Sequence, residues 1–438
     1  MLDVVLGALA VLTLVQILLR KQRKPVWTMK ALTVTTGGAL LTLLLAWTLA
    51  STSLPAPLWL PPIVCLQSGM LALAWLVLWP LDTHLKQRIL SRGKTLRAAH
   101  PELLVIGITG SVGKTTTKEL LAHILGTDRC LATPTHVNTE IGVAQWLLRT
   151  VKKPLPPQTP LIVEMGAYRP GEIATLCSVV RPSMGIVTFI GSQHLALFGS
   201  QESLAAAKGE LLHALPANGK AFLNGDCDRC RSLLPLSSCP VTVVGTGGRA
   251  DLEAYDIEET TQGLRFTADS IPFSVPLHGT HNVTNVLLAV AAAQSLGLKM
   301  EEIASRLRSF QPPHGTFEVR QERGVTILDD THNASATSFS AAIRWAETQP
   351  FERKVLLTSG LIELGEEHER THRELGNLAA PVFPEAIFLS RQSAALFAEG
   401  FGRPVTLYSR KTPAITSPAL LVCVGRMPAS VIRRLLPQ

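Results

Sequence analysis

Charge is scarce in this chain. Asp, Glu, Lys and Arg make up 17% of its 438 residues, against about 25% in an average soluble domain. The deficit is concentrated, because no charged side chain occurs between Ala31 and Leu81. That absence excludes an ordinary water-facing surface for the stretch. It has room for two spans of about 20 residues, the length that crosses about 30 Å of hydrocarbon, and they are expected near Ala31–Ala50 and Leu58–Trp79. A third is expected at Leu2–Leu19. A secretory signal would begin with basic residues and end in a small-residue cleavage site. Here the order is Met1-Leu2-Asp3, the apolar run, then Arg20-Lys21-Gln22-Arg23-Lys24. A second basic cluster, Lys86, Arg88, Arg92, Lys94 and Arg97, follows the last span. Both clusters belong on the cytoplasmic side by the positive-inside rule, which puts the N-terminus outside and everything after position 82 inside. A hydrophobic hairpin dipping into the membrane at Pro61-Pro62 is the alternative for that region.

Also missing is a long basic stripe with interleaved aromatics, so the net charge of +8 does not call for nucleic acid and suits anionic lipid head groups better. Cys227, Cys230 and Cys239 lack a fourth Cys or His at zinc spacing, and a closed structural zinc site needs four ligands. Three reduced thiols in a loop is the preferred reading. No internal repeat or low-complexity segment is present.

What is present is an α/β pattern. Leu103–Thr109 reads as a buried strand, followed by a glycine-bearing loop and a helix from Lys114 to Leu125, the order that a parallel sheet requires. Further buried-strand runs stand at Leu161-Ile162-Val163 and Gly185–Thr188, with helical stretches at Ser203–Leu215 and Asn282–Ser295. Pro312-Pro313 breaks the chain before a new strand series at 325–328, 355–357 and 420–422. The predicted organisation is a membrane anchor with a basic linker over 1–98, a P-loop domain with a mainly parallel sheet over 99–312, and a smaller Rossmann-like α/β domain over 313–438.

The loop Gly107-Ile108-Thr109-Gly110-Ser111-Val112-Gly113-Lys114-Thr115-Thr116 can cradle phosphate with backbone N–H groups at a helix N-terminus. Lys114 would reach the β and γ phosphates, and Thr115 would hold Mg²⁺. It departs from strict P-loop spacing, because Gly107 is one position too early.

The run GITGSVGKTTTKELLAHIL resembles the P-loop of the Mur ligases, and within that family the MurF branch, which adds D-alanyl-D-alanine in peptidoglycan synthesis. HVNTEIGVAQWLL, VEMGAYRPGEI, GSQHLALFGSQESLAAAKGEL, GTHNVTNVLLAVAAA, ILDDTHNAS and IELGEEHERTHRELG follow in the same order. The resemblance covers roughly positions 103–380. It implies an ATP-dependent amide-bond ligase that phosphorylates a carboxylate and lets an amine attack the acyl phosphate. By this resemblance Gly110, Ser111, Val112, Gly113, Lys114, Thr115 and Thr116 hold the nucleotide phosphates. Thr115 and Glu164 hold one Mg²⁺, and His194 serves a second. Lys208 matches a lysine that several members carry as a Mg²⁺-binding carbamate; the alternative is a plain lysine on a surface helix. Lys114, His194 and Lys208 form the catalytic set. Asn282 would face adenine, or only cap its helix. Asp330 would meet the nucleotide's ribose or phosphate region, with His332 and Asn333 in the same cleft. Asp329 is either an accompanying acid or a turn former.

Several positions depart from the family pattern. Gly315-Thr316 stands where a glycine-arginine pair is expected, Thr139 replaces an Asn, Ala144-Gln145 stands where a proline is usual, and Val424-Gly425-Arg426-Met427 replaces a longer segment. The apolar spans occupy the place of the family's uridine-nucleotide-binding domain. The expected partners are therefore ATP, membrane lipids, an amino acid or dipeptide amine, and a carboxylate acceptor that is either UDP-linked or lipid-linked and presented at a bacterial cytoplasmic membrane. A ligase like poly-γ-glutamate synthase and a catalytically weakened nucleotide-binding scaffold for wall enzymes are the rival readings. An ATP-driven transporter is disfavoured, since three spans give little room for a pathway.

Overall fold

In the computed structural model the described residues are 27–52, 55–151, 156, 159–191, 195–332, 334–362 and 364–437. The expected span at Leu2–Leu19, His194 and Asn333 lie outside them. The chain divides into two compact units, Met1–Ile89 and Leu90–Gln438.

In the first unit, helix Met29–Ala50 packs against the helix that starts at Ala56. Glycine makes the approach close: a Cβ on Gly38 would stand 2.7 Å from Leu71 Cδ2, and one on Gly37 3.4 Å from Ala74 Cβ. Small residues at such a seam let helices associate where no water drives them together. Leu43, Trp47 and Val77 point outward. Two segments, Met29–Ala50 and Ile63–Ala99, are long and apolar enough to cross a membrane. The second helix runs unbroken from Ala56 to Ala99, through Pro61-Pro62 and through the basic cluster, so the segment expected as a basic linker is helical. Nothing there stops a helix: no proline occurs between Pro80 and Pro101, and Asp82 pairs with Lys86 one turn on at 2.9 Å, a favourable spacing.

The second unit carries two sheets. The first is built from β1 (Leu104–Thr109), β2 (Leu131–Ala132), β3 (Pro160–Glu164), β4 (Met184–Val187), β5 (Lys220–Asn224), β6 (Val241–Gly245), β7 (Leu252–Thr260), β8 (Gly263–Ala268) and β9 (Ile271–Val275). Their order is β2-β3-β1-β4-β5-β6-β7-β8-β9. Strands β1 to β6 are parallel, while β7–β8–β9 form an antiparallel meander that apolar runs alone did not reveal. The second sheet is β10 (Glu318–Glu322), β11 (Val325–Asp330), β12 (Lys354–Thr358), β13 (Glu385–Phe388), β14 (Thr406–Leu407) and β15 (Ala419–Val424), ordered β10-β11-β15-β12-β13-β14. It is parallel except for β10.

Each sheet has its own core, with Ile106, Ile108, Phe222 and Val286 in one and Leu328, Phe339, Leu356 and Phe388 in the other. Ligands in such sheets bind beyond the carboxyl ends of the strands. The carboxyl ends of β1, β2 and β3 and those of β11 and β15 carry the loops that meet at the site described next.

Candidate active site

Strand β1 ends in a loop that only glycine can follow at two points. Gly110 has φ +147° and Gly113 φ +86°, and Cβ atoms there would stand 2.0 Å from Thr188 Oγ1 and 2.3 Å from Asn285 Oδ1. Gly107 is inside β1, where a Cβ would press on Met165 Cε at 2.8 Å. Its early position is therefore a packing requirement of the strand and not a fault in the loop. The helix Lys114–Leu125 begins at Gly113 with no side-chain cap, leaving its first-turn N–H groups without helical partners. Ser111 Oγ is buried with no hydrogen-bond partner. Lys114 Nζ donates to the Gly110 and Ser111 carbonyls at 2.7 and 3.0 Å, so its ammonium stands over the loop. Together these features form a cradle for an anion.

At the end of β3, Glu164 is 4% exposed and accepts from Thr115 Oγ1 and Asn138 Nδ2, both at 3.0 Å. Lys118 Nζ lies 3.4 Å from the same carboxylate and donates to the Thr133 carbonyl at 2.9 Å. Burial alone would raise the Glu164 carboxyl, but the Lys114 and Lys118 ammonium groups and the two hydrogen bonds hold it below its ordinary range. Lys118 and Asn138 were not anticipated. The signal for Lys118 was its spacing, four residues beyond Lys114 and so one helical turn away.

Lys208 is not a surface lysine. Only 2% of it is exposed, and its Nζ lies 5.7 Å from the Phe198 ring centroid. Burial, aided by the Lys114 charge, brings its ammonium down from 10.5 to about 7.

Asn282 is buried at the start of helix Asn282–Ser295. Its amide donates to the His278 carbonyl and accepts from Asn285, both at 2.8 Å. Before it, His281 is held near pKa 4 by burial and meets Phe317 edge-on at 5.2 Å.

In the second sheet Asp330 is 4% exposed with Oδ2 unpartnered. Burial raises it to about 6 despite hydrogen bonds from Ser338 and the Phe317 backbone. Asp329 is a turn former: it accepts from the Thr331 N–H and hydroxyl and pairs with Arg320 at 2.6 Å. Thr316 hydrogen-bonds to Pro313 O, and Arg426 stands in the same wall. Thr139 caps the helix Glu140–Thr150.

A cavity of about 530 Å³ joins these groups. Its walls include Ser111, Val112, Gly113, Lys114, Thr115, Thr116, Glu164, Lys208, Asn282 and Asp330, with His332 in the same cleft, and with His136, Asn138 and Arg426 among residues the sequence had not singled out as ligands. Among the described residues no three His, Cys, Asp or Glu side chains converge as a metal site. The Thr115 hydroxyl and the Glu164 carboxylate are two oxygen donors beside the phosphate cradle. That set suits Mg²⁺, which uses few protein ligands and keeps waters and phosphate oxygens.

Residues 108–293 match the family described as "Mur ligase middle domain". The chain is 33% identical to the UDP-N-acetylmuramoyl-tripeptide--D-alanyl-D-alanine ligase of Bacillus subtilis (strain 168) over 302 residues, 68% of this chain and 64% of that protein. It is also 33% identical to the ligase of the same name from Escherichia coli (strain K12) over 369 residues, 80% of this chain and 79% of that protein. Among solved structures, MurF from Acinetobacter baumannii superposes with TM-score 0.71 at 25% identity, covering 80% of each chain. MurF from Thermotoga maritima in complex with ADP gives TM-score 0.68 at 26% identity, covering 79% of this chain and 82% of that one.

Proposed function

This chain belongs to the Mur ligase family, and from that premise we propose that it is an ADP-forming, ATP-dependent amide-bond ligase of the MurF type acting on a cell-wall precursor. The observation that carries the reading is the convergence of an uncapped P-loop, the Thr115–Glu164 pair and the depressed Lys208 on one cavity. A nucleotide-binding scaffold would need the loop but not the buried acid and lysine behind it.

In this reading Gly110 to Thr116 wrap the ATP phosphates, and Lys114 moves from the loop carbonyls onto the β and γ oxygens. Mg²⁺, held by Thr115 and Glu164 and at a second position by His194 and Lys208, would offset charge on the transferring phosphoryl group. Lys118 keeps Glu164 ionised and fixed. Lys208, brought down to about 7 by burial, has a neutral form with the free lone pair that carbon dioxide needs to form a carbamate, and so can present an anion where its unmodified form would present a cation. Asn282, with an amide oriented by His278 and Asn285, borders the base, and Asp330 and Asn333 the ribose or phosphates. The two sheets close over the nucleotide, with the domain boundary placed near 312.

The names of the relatives suggest the substrates: a UDP-N-acetylmuramoyl-tripeptide carboxylate, or a lipid-linked form of it, and D-alanyl-D-alanine. The apolar helices 29–50 and 63–99 would anchor the chain in the bacterial cytoplasmic membrane with the catalytic unit inside. The test is mass analysis of products from the full-length chain in detergent, given ATP, Mg²⁺ and those two substrates. A product joined through a new amide supports the reading. Nucleotide binding without any joined product would turn it to the scaffold.

A further inference from the structure

His136 follows β2 and His332 follows β11, so they come from different sheets. Their rings nevertheless stack with centroids 4.8 Å apart and planes 18° from parallel. Two further observations single out this pair. His136 has φ +67°, a left-handed conformation uncommon outside glycine and worth explaining by function. His332 Nε2 is buried in the cavity wall with no hydrogen-bond partner, although its backbone N–H is tied to the Gly315 carbonyl at 2.9 Å. A buried polar nitrogen without a partner calls for one from a ligand. Burial, with the charges of His136, Arg426 and Lys118, lowers the imidazole and outweighs Glu164, which pulls the other way. The imidazole is thus held below its ordinary range, and with the proton on Nδ1 its Nε2 carries a lone pair.

We propose that His332 is the general base of the amide-forming half-reaction, held in place by its stack on His136. The inference rests on the ligase reading above. The amine lone pair forms the new bond to the acyl-phosphate carbon. The bond from that carbon to the phosphate oxygen breaks, its electron pair leaving with phosphate, and one proton passes from nitrogen to His332 Nε2. Asp330, whose Oδ2 is also unpartnered in the cavity wall, is left to the nucleotide in the reading above.

The experiment compares two nucleophiles on the full-length chain in detergent with ATP, Mg²⁺ and UDP-N-acetylmuramoyl-tripeptide. D-Alanyl-D-alanine needs a base to remove its proton. Hydroxylamine, a much weaker base with high intrinsic reactivity, traps acyl phosphates without one. His332→Gln and His332→Phe are each read alongside circular dichroism and thermal melting, which report an intact fold. Amide formation is expected to fall about 10²-fold, within the usual range for a lost base, while hydroxamate formation stays within about threefold of wild type. Parallel loss of both products, or undiminished amide formation, overturns the assignment to His332. Failure of the wild-type chain to make either product would instead overturn the ligase reading itself.

Discussion

Lys208 gives the sharpest prediction. Its ammonium falls from 10.5 to about 7 through burial and the nearby Lys114 charge, so the neutral fraction at pH 7 rises from about 3 in 10,000 to about one half. Carbon dioxide reacts only with the neutral amine. The sign follows: below pH 7 the cation dominates and carbamate formation is suppressed, about tenfold less neutral amine being present at pH 6 than at high pH, and above pH 8 the amine is almost wholly available. The perturbation is removal of carbon dioxide by degassed, bicarbonate-free buffer, at pH 6.0 and 8.0, with bicarbonate restored in parallel. ADP formation in the complete reaction is the assay, and ¹³C-bicarbonate with NMR detection of a carbamate carbon is its check. Activity should drop on depletion and recover with bicarbonate, recovering more fully at pH 8.0. Lys208→Met should be inactive by at least about 10²-fold and insensitive to bicarbonate. Activity that ignores bicarbonate at both pH values, with no carbamate signal, would refute the role given to Lys208.

Gly113→Ala should weaken nucleotide binding and stability together. Its Cβ would stand 2.3 Å from Asn285 Oδ1 at φ +86°, and the left-handed backbone alone costs about 1–2 kcal/mol; ADP-binding calorimetry and thermal melting check it. Glu164→Gln removes the anion between Lys114 and Lys118 while keeping the shape, so ADP formation should fall about 10²-fold or more with the fold retained by circular dichroism, and a change under about threefold would contradict it. Arg97→Met should destabilise the catalytic unit by about 2–4 kcal/mol. Its buried guanidinium donates to Val180 O at 2.8 Å, Leu103 O at 3.0 Å and Arg181 O at 3.3 Å, and also to His100 O, and denaturant unfolding measures the loss.

What the sequence made legible was what is local. The run Leu104–Thr109 followed by Gly110, Gly113 and Lys114 declares strand, loop and helix within a dozen residues, because each element is set by neighbours along the chain. Glu164 was legible as a carboxylate at the end of a buried strand. The meander β7–β9 was not, since its strands alternate buried and exposed residues over one face and lack the apolar runs that mark a parallel core. The basic 82–98 segment was read as a linker without a backbone form, and it is helical, since Lys, Arg, Gln and Leu are good helix formers. Least visible were groups whose meaning depends on distant partners. His136 became notable only against His332, Lys118 only against Glu164, and Arg426 only where the second sheet meets the P-loop.

The measurement that tests the account most directly is the stoichiometry of ADP formation by the full-length chain, supplied in turn with neither substrate, the carboxylate alone, the amine alone, and both. The account predicts one ADP for each amide formed, sustained turnover only with both substrates, and loss of about 10³-fold or more in Lys114→Ala. ATP hydrolysis that proceeds without amine or carboxylate, or that survives in Lys114→Ala, would contradict it.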